Sequence, residues 1–200
     1  MARPDSGRAP RILAGRFRGR ALRVPSGRVT RPVRALVRRS IFDSLQAELE
    51  DSRWLDLYAG SGSFGLEALS RGAAHATFVE AGAEGARCLR ENLERLGLAE
   101  GEATLLVARL PELLLQPPPA AAPYDFVALD PPFALCRSGD GLAGLVAALA
   151  AAGRRGWWRR GTLLVWEEPS DAPAPLPEGF TEEARREHGT SRVRRLRARG

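Results

Sequence analysis

The chain has 200 residues, of which 44% are hydrophobic, enough for one compact domain with a full core and a short extension. Its two cysteines, Cys88 and Cys136, are too few for a disulfide framework, and its two histidines have no neighbour at metal-ligand spacing. No apolar run reaches the roughly 18 residues of a membrane span, and the N-terminus has no apolar stretch of signal-peptide length. The composition argues against disulfide-rich secreted and membrane proteins, so we expect a cytoplasmic monomer without a bound metal.

Positive charge is concentrated in the N-terminal fifth of the chain. Residues 1–39 contain twelve arginines and one acid, a formal charge of +11, whereas the remainder carries eighteen arginines and twenty-three acids, a formal charge of −5. A cationic segment beside a slightly acidic body suits a polyanionic partner. Residues 1–10 are predicted to be a disordered, solvated tail.

Residues 11–50 are predicted to form a basic N-terminal extension. In residues 11–25, apolar side chains alternate with arginine and glycine, which predicts two short strands of a hairpin with basic residues on the exposed face. Residues 33–49 predict an amphipathic helix. Its expected apolar face consists of Val33, Leu36, Val37, Ser40, Ile41 and Leu45, and its basic face of Arg34, Arg38 and Arg39.

From residue 51 to residue 200, strand patterns alternate with helix patterns. Strands are predicted at 54–58, 76–79, 103–107, 126–129 and 163–166, followed by an antiparallel terminal hairpin at 180–186 and 192–196. Helices are predicted at 64–70, 84–96, 110–115 and around 142–152. This alternation indicates an α/β fold with a doubly wound, mostly parallel sheet.

A glycine-rich turn follows the first strand of this sheet and opens a helix. Gly60, Gly62 and Gly65 have the G-x-G-x-x-G spacing, which lets a ligand approach the backbone around Ser61 closely. Glu80 ends the next strand, twenty residues after Gly60, where a carboxylate can accept hydrogen bonds from both hydroxyls of a ribose. The arrangement predicts a site for a nucleoside cofactor; the simpler interpretation is a tight turn beside a solvated acid.

The acid Asp56 precedes the first glycine of the turn by four residues. Dinucleotide sites usually keep a bare glycine loop under the pyrophosphate. S-adenosylmethionine has no phosphate but carries a cationic ammonium and a sulfonium, which an acid suits directly or through water. Asp56 therefore favours S-adenosylmethionine as the cofactor.

A second motif, Asp130-Pro131-Pro132-Phe133, follows the predicted strand at 126–129. That strand is expected beside the first one, so the motif would face the glycine loop. The Asp130 carboxylate and the Pro131 carbonyl can each accept one N–H of an exocyclic base amine, which turns the nitrogen lone pair toward an incoming methyl group. Phe133 can stack on the target base. The motif indicates methyl transfer to a base amine, although alone it is also typical of an ordinary turn.

Four stretches, together with the Asp-Pro-Pro-Phe motif, give the chain a clear resemblance to a known family. They are residues 11–20, 30–32, 56–65 and 66–73, which read RILAGRFRGR, TRP, DLYAGSGSFG and LEALSRGA. The chain resembles the RsmD family, which methylates the N2 amine of a guanine in small-subunit ribosomal RNA. The resemblance implies a Rossmann-like class I methyltransferase sheet, S-adenosylmethionine as methyl donor, and a small N-terminal extension that helps to hold the RNA, in an assembled subunit or an assembly intermediate.

Two further sets of site residues follow from the charge pattern and the resemblance. We expect the RNA to contact Arg11, Arg16, Arg18, Arg20, Arg31 and Arg38. The family often has Asp or Asn at the end of the third strand to contact adenine, and here Val107 occupies that position, before Ala108. A backbone carbonyl can substitute for that side chain, so Ala108 is included among the cofactor-binding residues.

Three other functions remain open. An adenine-N6 methyltransferase would use the same catalytic motif, but 200 residues leave no space for a large target-recognition domain. An RNA-binding protein could retain a degenerate methyltransferase fold without activity. A nicotinamide-dependent oxidoreductase would have no use for the Asp-Pro-Pro-Phe motif.

Overall fold

A computed structural model describes residues 9–25 and 32–199 of the chain, without the side chains of 32–34. Most of the predicted tail, and Arg31, lie outside these ranges. The strands are β1 (Arg53–Leu57), β2 (His75–Val79), β3 (Ala103–Leu106), β4 (Tyr124–Leu129), β5 (Trp158–Pro169), β6 (Phe180–His188) and β7 (Ser191–Ala198). The helices are α1 (Pro32–Leu45), α2 (Ser63–Ser70), α3 (Ala83–Leu96), α4 (Phe133–Cys136) and α5 (Gly139–Arg154), with 3-10 turns at Gln46–Glu48 and Glu112–Leu115.

The strands form one sheet in the order β3-β2-β1-β4-β5-β7-β6. The first five are parallel, and β7 and β6 close the sheet as an antiparallel hairpin. This confirms the predicted mostly parallel α/β sheet with its terminal hairpin. The chain runs outward from β1 to β3 and then returns to β4 on the other side of β1, so a crevice opens between the carboxyl ends of β1 and β4.

The longest strand, β5, extends well beyond the predicted 163–166. Trp158 pairs with Tyr124 at one end, and Glu168 pairs with Arg192 at the other. The additional residues include arginine, glycine and glutamate. They interrupt the apolar pattern that predicts a strand, but their backbone groups still form the hydrogen bonds of the sheet. Among the described helices, none combines the length and apolarity needed to cross a membrane.

The hairpin predicted in residues 11–25 is present only as a minimal antiparallel contact, without two regular strands. A single antiparallel bridge joins Arg11 to Ala21 and closes a turn. The amides that would extend a ladder are used elsewhere: the carboxylate of Glu67, in α2, accepts hydrogen bonds from the N–H groups of Leu13 at 2.7 Å and Ala14 at 3.1 Å. The segment is therefore held by a helix of the main domain as well as by the few backbone hydrogen bonds between its own two arms, such as that from the N–H of Ile12 to the carbonyl of Arg20 at 3.0 Å.

Helix α1 is confirmed, but two residues of its predicted faces are exchanged. Leu36 is 67% exposed, whereas Arg38 is only 5% exposed. The buried face includes Phe42, whose ring stacks on Trp54 of β1, and Arg38 lies one turn before it. A guanidinium is tolerated there because its Nη2 donates to the carbonyl of Arg11 at 2.7 Å, and Glu67 lies 3.9 Å from its Nε.

Gly65 allows α2 to approach β2 closely. A Cβ on Gly65 would lie 2.3 Å from Cε1 of Phe78, a ring that is fully buried. We predict that Gly65→Ala lowers the free energy of unfolding by about 1–3 kcal/mol, because overpacking outweighs the gain in helix propensity. Urea unfolding would measure it.

Gly144→Ala is the matched control. Gly144 is an exposed residue inside α5 whose added Cβ would meet only Pro111, at 4.0 Å. It should gain about 0.5–1 kcal/mol in unfolding free energy. Equal effects of the two substitutions would contradict the tight contact between α2 and β2.

Candidate active site

The crevice between β1 and β4 brings together acids from three strands. Asp56 lies in β1, Glu80 directly follows β2, and Asp130 directly follows β4. The carboxylates of Glu80 and Asp130 both act electrostatically on Asp56. The predicted acids thus meet at the carboxyl edge of the sheet, around the glycine loop.

Backbone conformation requires glycine at two positions of the loop, and tight packing requires it at one of them. Gly60 and Gly62 both have left-handed backbones, with φ of 56° and 83°. A Cβ on Gly62 would in addition lie 2.5 Å from Cδ1 of Leu89. Tyr58 adopts φ of 60° without being glycine, a strained backbone of the kind that clusters at ligand sites.

The carboxylate of Glu80 fixes the backbone of the glycine loop. One carboxylate oxygen accepts the N–H of Gly60 at 2.7 Å, and the other accepts the N–H of Gly82 at 2.6 Å. Each carboxylate oxygen has two lone pairs, so each can accept one further hydrogen bond. This geometry is compatible with the ribose-binding role predicted for Glu80, which stays a prediction.

Asp56 is almost completely buried and accepts the N–H of Gly65 at 2.9 Å. Burial raises its pKa to about 8; the Gly65 hydrogen bond opposes this rise, and the nearby Asp130 and Glu80 add to it. A cation in the crevice would relieve this crowding of carboxylates. Because Asp56 is buried, its effect on a ligand is electrostatic, or is transmitted through the loop that it holds.

The Asp-Pro-Pro-Phe motif forms the opposite wall of the crevice. Pro131 is buried, whereas Asp130 and Phe133 are half-buried, and Phe133 starts the short helix α4. Leu129, the residue before the motif, pairs with Leu57 of β1, the strand that leads into the glycine loop. The motif therefore lies beside the loop, as its place in the sequence predicted.

The remaining predicted cofactor residues lie along the same edge. The carbonyl of Ser61 accepts a hydrogen bond from Nδ2 of Asn92 at 3.0 Å. Ala108 is half-buried just after β3, and the preceding Val107 is 53% exposed. The N–H of Glu80 bonds to the carbonyl of Leu106 at 3.1 Å, which keeps the ends of β2 and β3 together. The carboxylate of Glu80 at the end of β2 is therefore followed, at the end of β3, by the exposed apolar side chain of Val107.

The arginines expected to bind RNA occupy different environments. Arg18 and Arg20 are exposed, Arg11 donates to the carbonyl of Gly19 at 2.8 Å, and Arg16 forms an ion pair with Glu102. Buried Arg38 does not fit an RNA-binding role, because its guanidinium is used inside the protein. Arg31 lies outside the described residues.

Sequence reasoning missed Asn92, a buried residue of α3. Besides Ser61, its side chain bonds both backbone groups of Arg23: the N–H at 2.7 Å and the carbonyl at 3.0 Å. A polar residue on the apolar face of a predicted helix was the available signal.

Within the described ranges, no group of three or more potential ligand side chains could hold a metal ion.

Comparisons with known proteins agree with the resemblance seen in the sequence. The family model described as conserved hypothetical protein 95 matches residues 10–197. The ribosomal RNA small subunit methyltransferase D of Haemophilus influenzae is 34% identical over 178 residues, which cover 89% of this chain and 88% of that protein. Its namesake from Escherichia coli K12 is 39% identical over 123 residues, covering 62% and 60%.

A solved structure shows the same likeness in three dimensions. The putative methyltransferase yhhF from Escherichia coli superimposes with a TM-score of 0.80 at 31% identity, covering 95% of this chain and 98% of that one. The sheet, its terminal hairpin and the helices therefore form a Rossmann-like methyltransferase fold. With a family model matching nearly its whole length, the chain belongs to the RsmD family.

Proposed function

We propose that this protein transfers a methyl group from S-adenosylmethionine to the N2 amine of a guanine in small-subunit ribosomal RNA. The observation that carries the proposal is the position of Asp130 and Pro131 at the end of β4, beside the glycine loop and Glu80. The relatives named ribosomal RNA small subunit methyltransferase D support ribosomal RNA as the substrate.

The side chains along the crevice suit the chemical groups of S-adenosylmethionine. The carboxylates of Glu80 and Asp130, with buried Asp56 behind them, suit a ligand with an ammonium and a sulfonium and disfavour one with a pyrophosphate. Glu80 would hold the ribose hydroxyls, and exposed Val107 offers an apolar surface for the adenine ring. The loop at Gly60–Gly62 would line the amino-acid part of the cofactor. When bound, S-adenosylmethionine supplies an electrophilic methyl group.

The chain's own residues would orient the amine. An exocyclic amine is a weak nucleophile because its lone pair is delocalised into the ring. The Asp130 carboxylate and the Pro131 carbonyl would accept its two N–H groups and direct the lone pair toward the methyl donor. Both prolines lack an N–H and have a fixed φ, which keeps the loop stiff. Phe133 would stack on the base, with the Arg137 guanidinium 5.7 Å from its ring.

A strain that lacks the protein tests the function directly. Mass mapping of its small-subunit RNA should show one N2-methylguanine missing, restored by the wild-type chain and not by Asp130→Ala. Removal of this acceptor should lower the transfer rate on the order of 10²-fold or more. The purified variant should keep its S-adenosylmethionine affinity within a few-fold by calorimetry.

The contrary results are equally specific. A missing N6-methyladenine would assign the amine to adenine instead. If the strain that lacks the protein has unchanged small-subunit RNA modification, this RNA is not the substrate. Near-normal turnover by the purified Asp130→Ala variant would contradict a catalytic role for Asp130.

The proposed ribose contact predicts the effect of Glu80→Ala. The variant should bind S-adenosylmethionine about 1.5–3 kcal/mol more weakly in calorimetry, the scale of hydrogen bonds to a charged group. Glu94→Ala removes the same charge from the exposed side of α3 and should leave the affinity unchanged. An equal dissociation constant for Glu80→Ala and the wild type would mean that the ribose is held elsewhere.

The exposed arginines of the N-terminal segment are proposed to hold the RNA backbone. Arg18→Ala combined with Arg20→Ala should weaken RNA binding and flatten its salt dependence, by roughly 0.7–0.9 in log–log slope for each phosphate that the protein no longer neutralises. Arg16 is left unchanged because it is already paired with Glu102.

Arg154→Ala combined with Arg155→Ala is the control for net charge. Both residues are exposed at the end of α5, against the opposite face of the sheet from α1, so RNA affinity should change little. If the two double variants lose affinity and slope equally, only net charge matters and the N-terminal segment is not the RNA-holding surface.

A further inference from the structure

Glu167, in β5, is a buried acid with an unsatisfied oxygen. The residue is 4% exposed, and its Oε1 has no hydrogen-bond partner in the described part of the chain. The adjacent Glu168 points to the opposite face of the sheet, where it accepts the N–H of Ala174 at 3.0 Å and lies 3.7 Å from the guanidinium of Arg194. A buried carboxylate oxygen without a donor is unfavourable, so Glu167 suits a ligand that supplies one.

The sheet register places Glu167 beside the proposed catalytic acid. Leu129, the last residue of β4, pairs with Trp166 of β5, so Asp130, which directly follows β4, comes level with Glu167 of β5. Side chains alternate along a strand, and the residues two positions earlier, Ala128 and Val165, share one core cluster. If this alternation continues by one residue beyond β4, Asp130 lies on the same side of the sheet as Glu167, and its electrostatic effect on Asp56, the partner of Ala128, supports this side. The two neighbouring strands are about 4.8 Å apart.

The two purines differ at the atom next to the amine. The Watson–Crick edge of guanine carries the N2 amine beside an N1–H donor. Adenine carries its N6 amine beside an N1 lone pair, which is an acceptor. A second carboxylate next to Asp130 therefore satisfies guanine and repels adenine.

We propose that Glu167 accepts the N1–H of the target guanine while Asp130 and the Pro131 carbonyl accept the two N2–H groups. This inference rests on the proposed function and adds its base selectivity. Three acceptors then face three donors on one edge of the base. Glu167 is a specificity-determining residue: it takes no part in methyl transfer, but it selects the base whose amine Asp130 orients.

The test compares two bases that carry the same 2-amine. Small-subunit RNA is assembled with either guanine or 2-aminopurine at the mapped position; 2-aminopurine keeps the amine but has a lone pair at N1 and no carbonyl at C6. Because both bases are tested with the wild type and with the Glu167 variant, an effect of the missing carbonyl that does not involve Glu167 is common to the two proteins. In single-turnover assays the wild type should prefer guanine by about 10- to 100-fold, the scale of a hydrogen bond to a charged group. Glu167→Ala should lose this preference by slowing the guanine reaction, whereas 2-aminopurine transfer should not slow, because the variant no longer sets a carboxylate against the N1 lone pair.

Controls separate selectivity from folding. Glu168→Ala alters the same strand on its other face and should keep the preference for guanine, even if its melting temperature falls. If Glu167→Ala does not fold, Glu167→Gln replaces it, and its preference must fall below that of the wild type.

Each failure has its own signature. Equal slowing of both bases by the Glu167 variant, or an unchanged ratio, overturns the inference while wild-type methylation of guanine still supports the proposed function. No methylation of guanine by the wild type overturns the proposed function itself.

Discussion

One buried carboxylate, that of Glu67, holds the N-terminal segment against the sheet. It is fully buried and accepts hydrogen bonds from the backbone of Leu13 and Ala14 and from Nε of Arg71, with Arg38 nearby. Such a group is tolerated only when its partners are complete, and losing it would leave two amides and Nε of Arg71 without their acceptor and buried Arg38 without its nearby acid. Because Glu67 lies in α2, the helix that follows the glycine loop also fixes the basic segment.

The crevice itself depends on how closely helices and strands approach each other. Gly65 brings α2 against Phe78, and the N–H of the same glycine bonds the buried Asp56. Glu80 then ties the loop to the end of β2. Asp56 and Glu80 therefore do more than line the site, because their carboxyl groups also hold the glycine loop and the start of α2 in place.

Pattern reasoning worked where one physical requirement dominates. Strand periodicity and the positions of Gly60, Glu80 and Asp130 are local features, and the sheet brings them together by a general rule of α/β topology. Arg38 was assigned to the wrong side because helical periodicity cannot show that a buried acid 29 positions later in the sequence compensates a buried guanidinium. Unsatisfied Glu167 was equally invisible, since its meaning arises only from the register between β4 and β5.

Asn92 has a consequence for how the protein meets a polyanion. Its amide bonds the glycine loop at Ser61 and the basic segment at Arg23. Residues 11–23 are therefore fixed when the chain folds, and the exposed side chains of Arg18 and Arg20 project from a backbone that is already in place. If these side chains hold RNA as proposed, association carries a smaller loss of conformational entropy than it would for a free arginine-rich tail, which must order itself as it binds. Affinity and orientation would then come from the same preorganised surface.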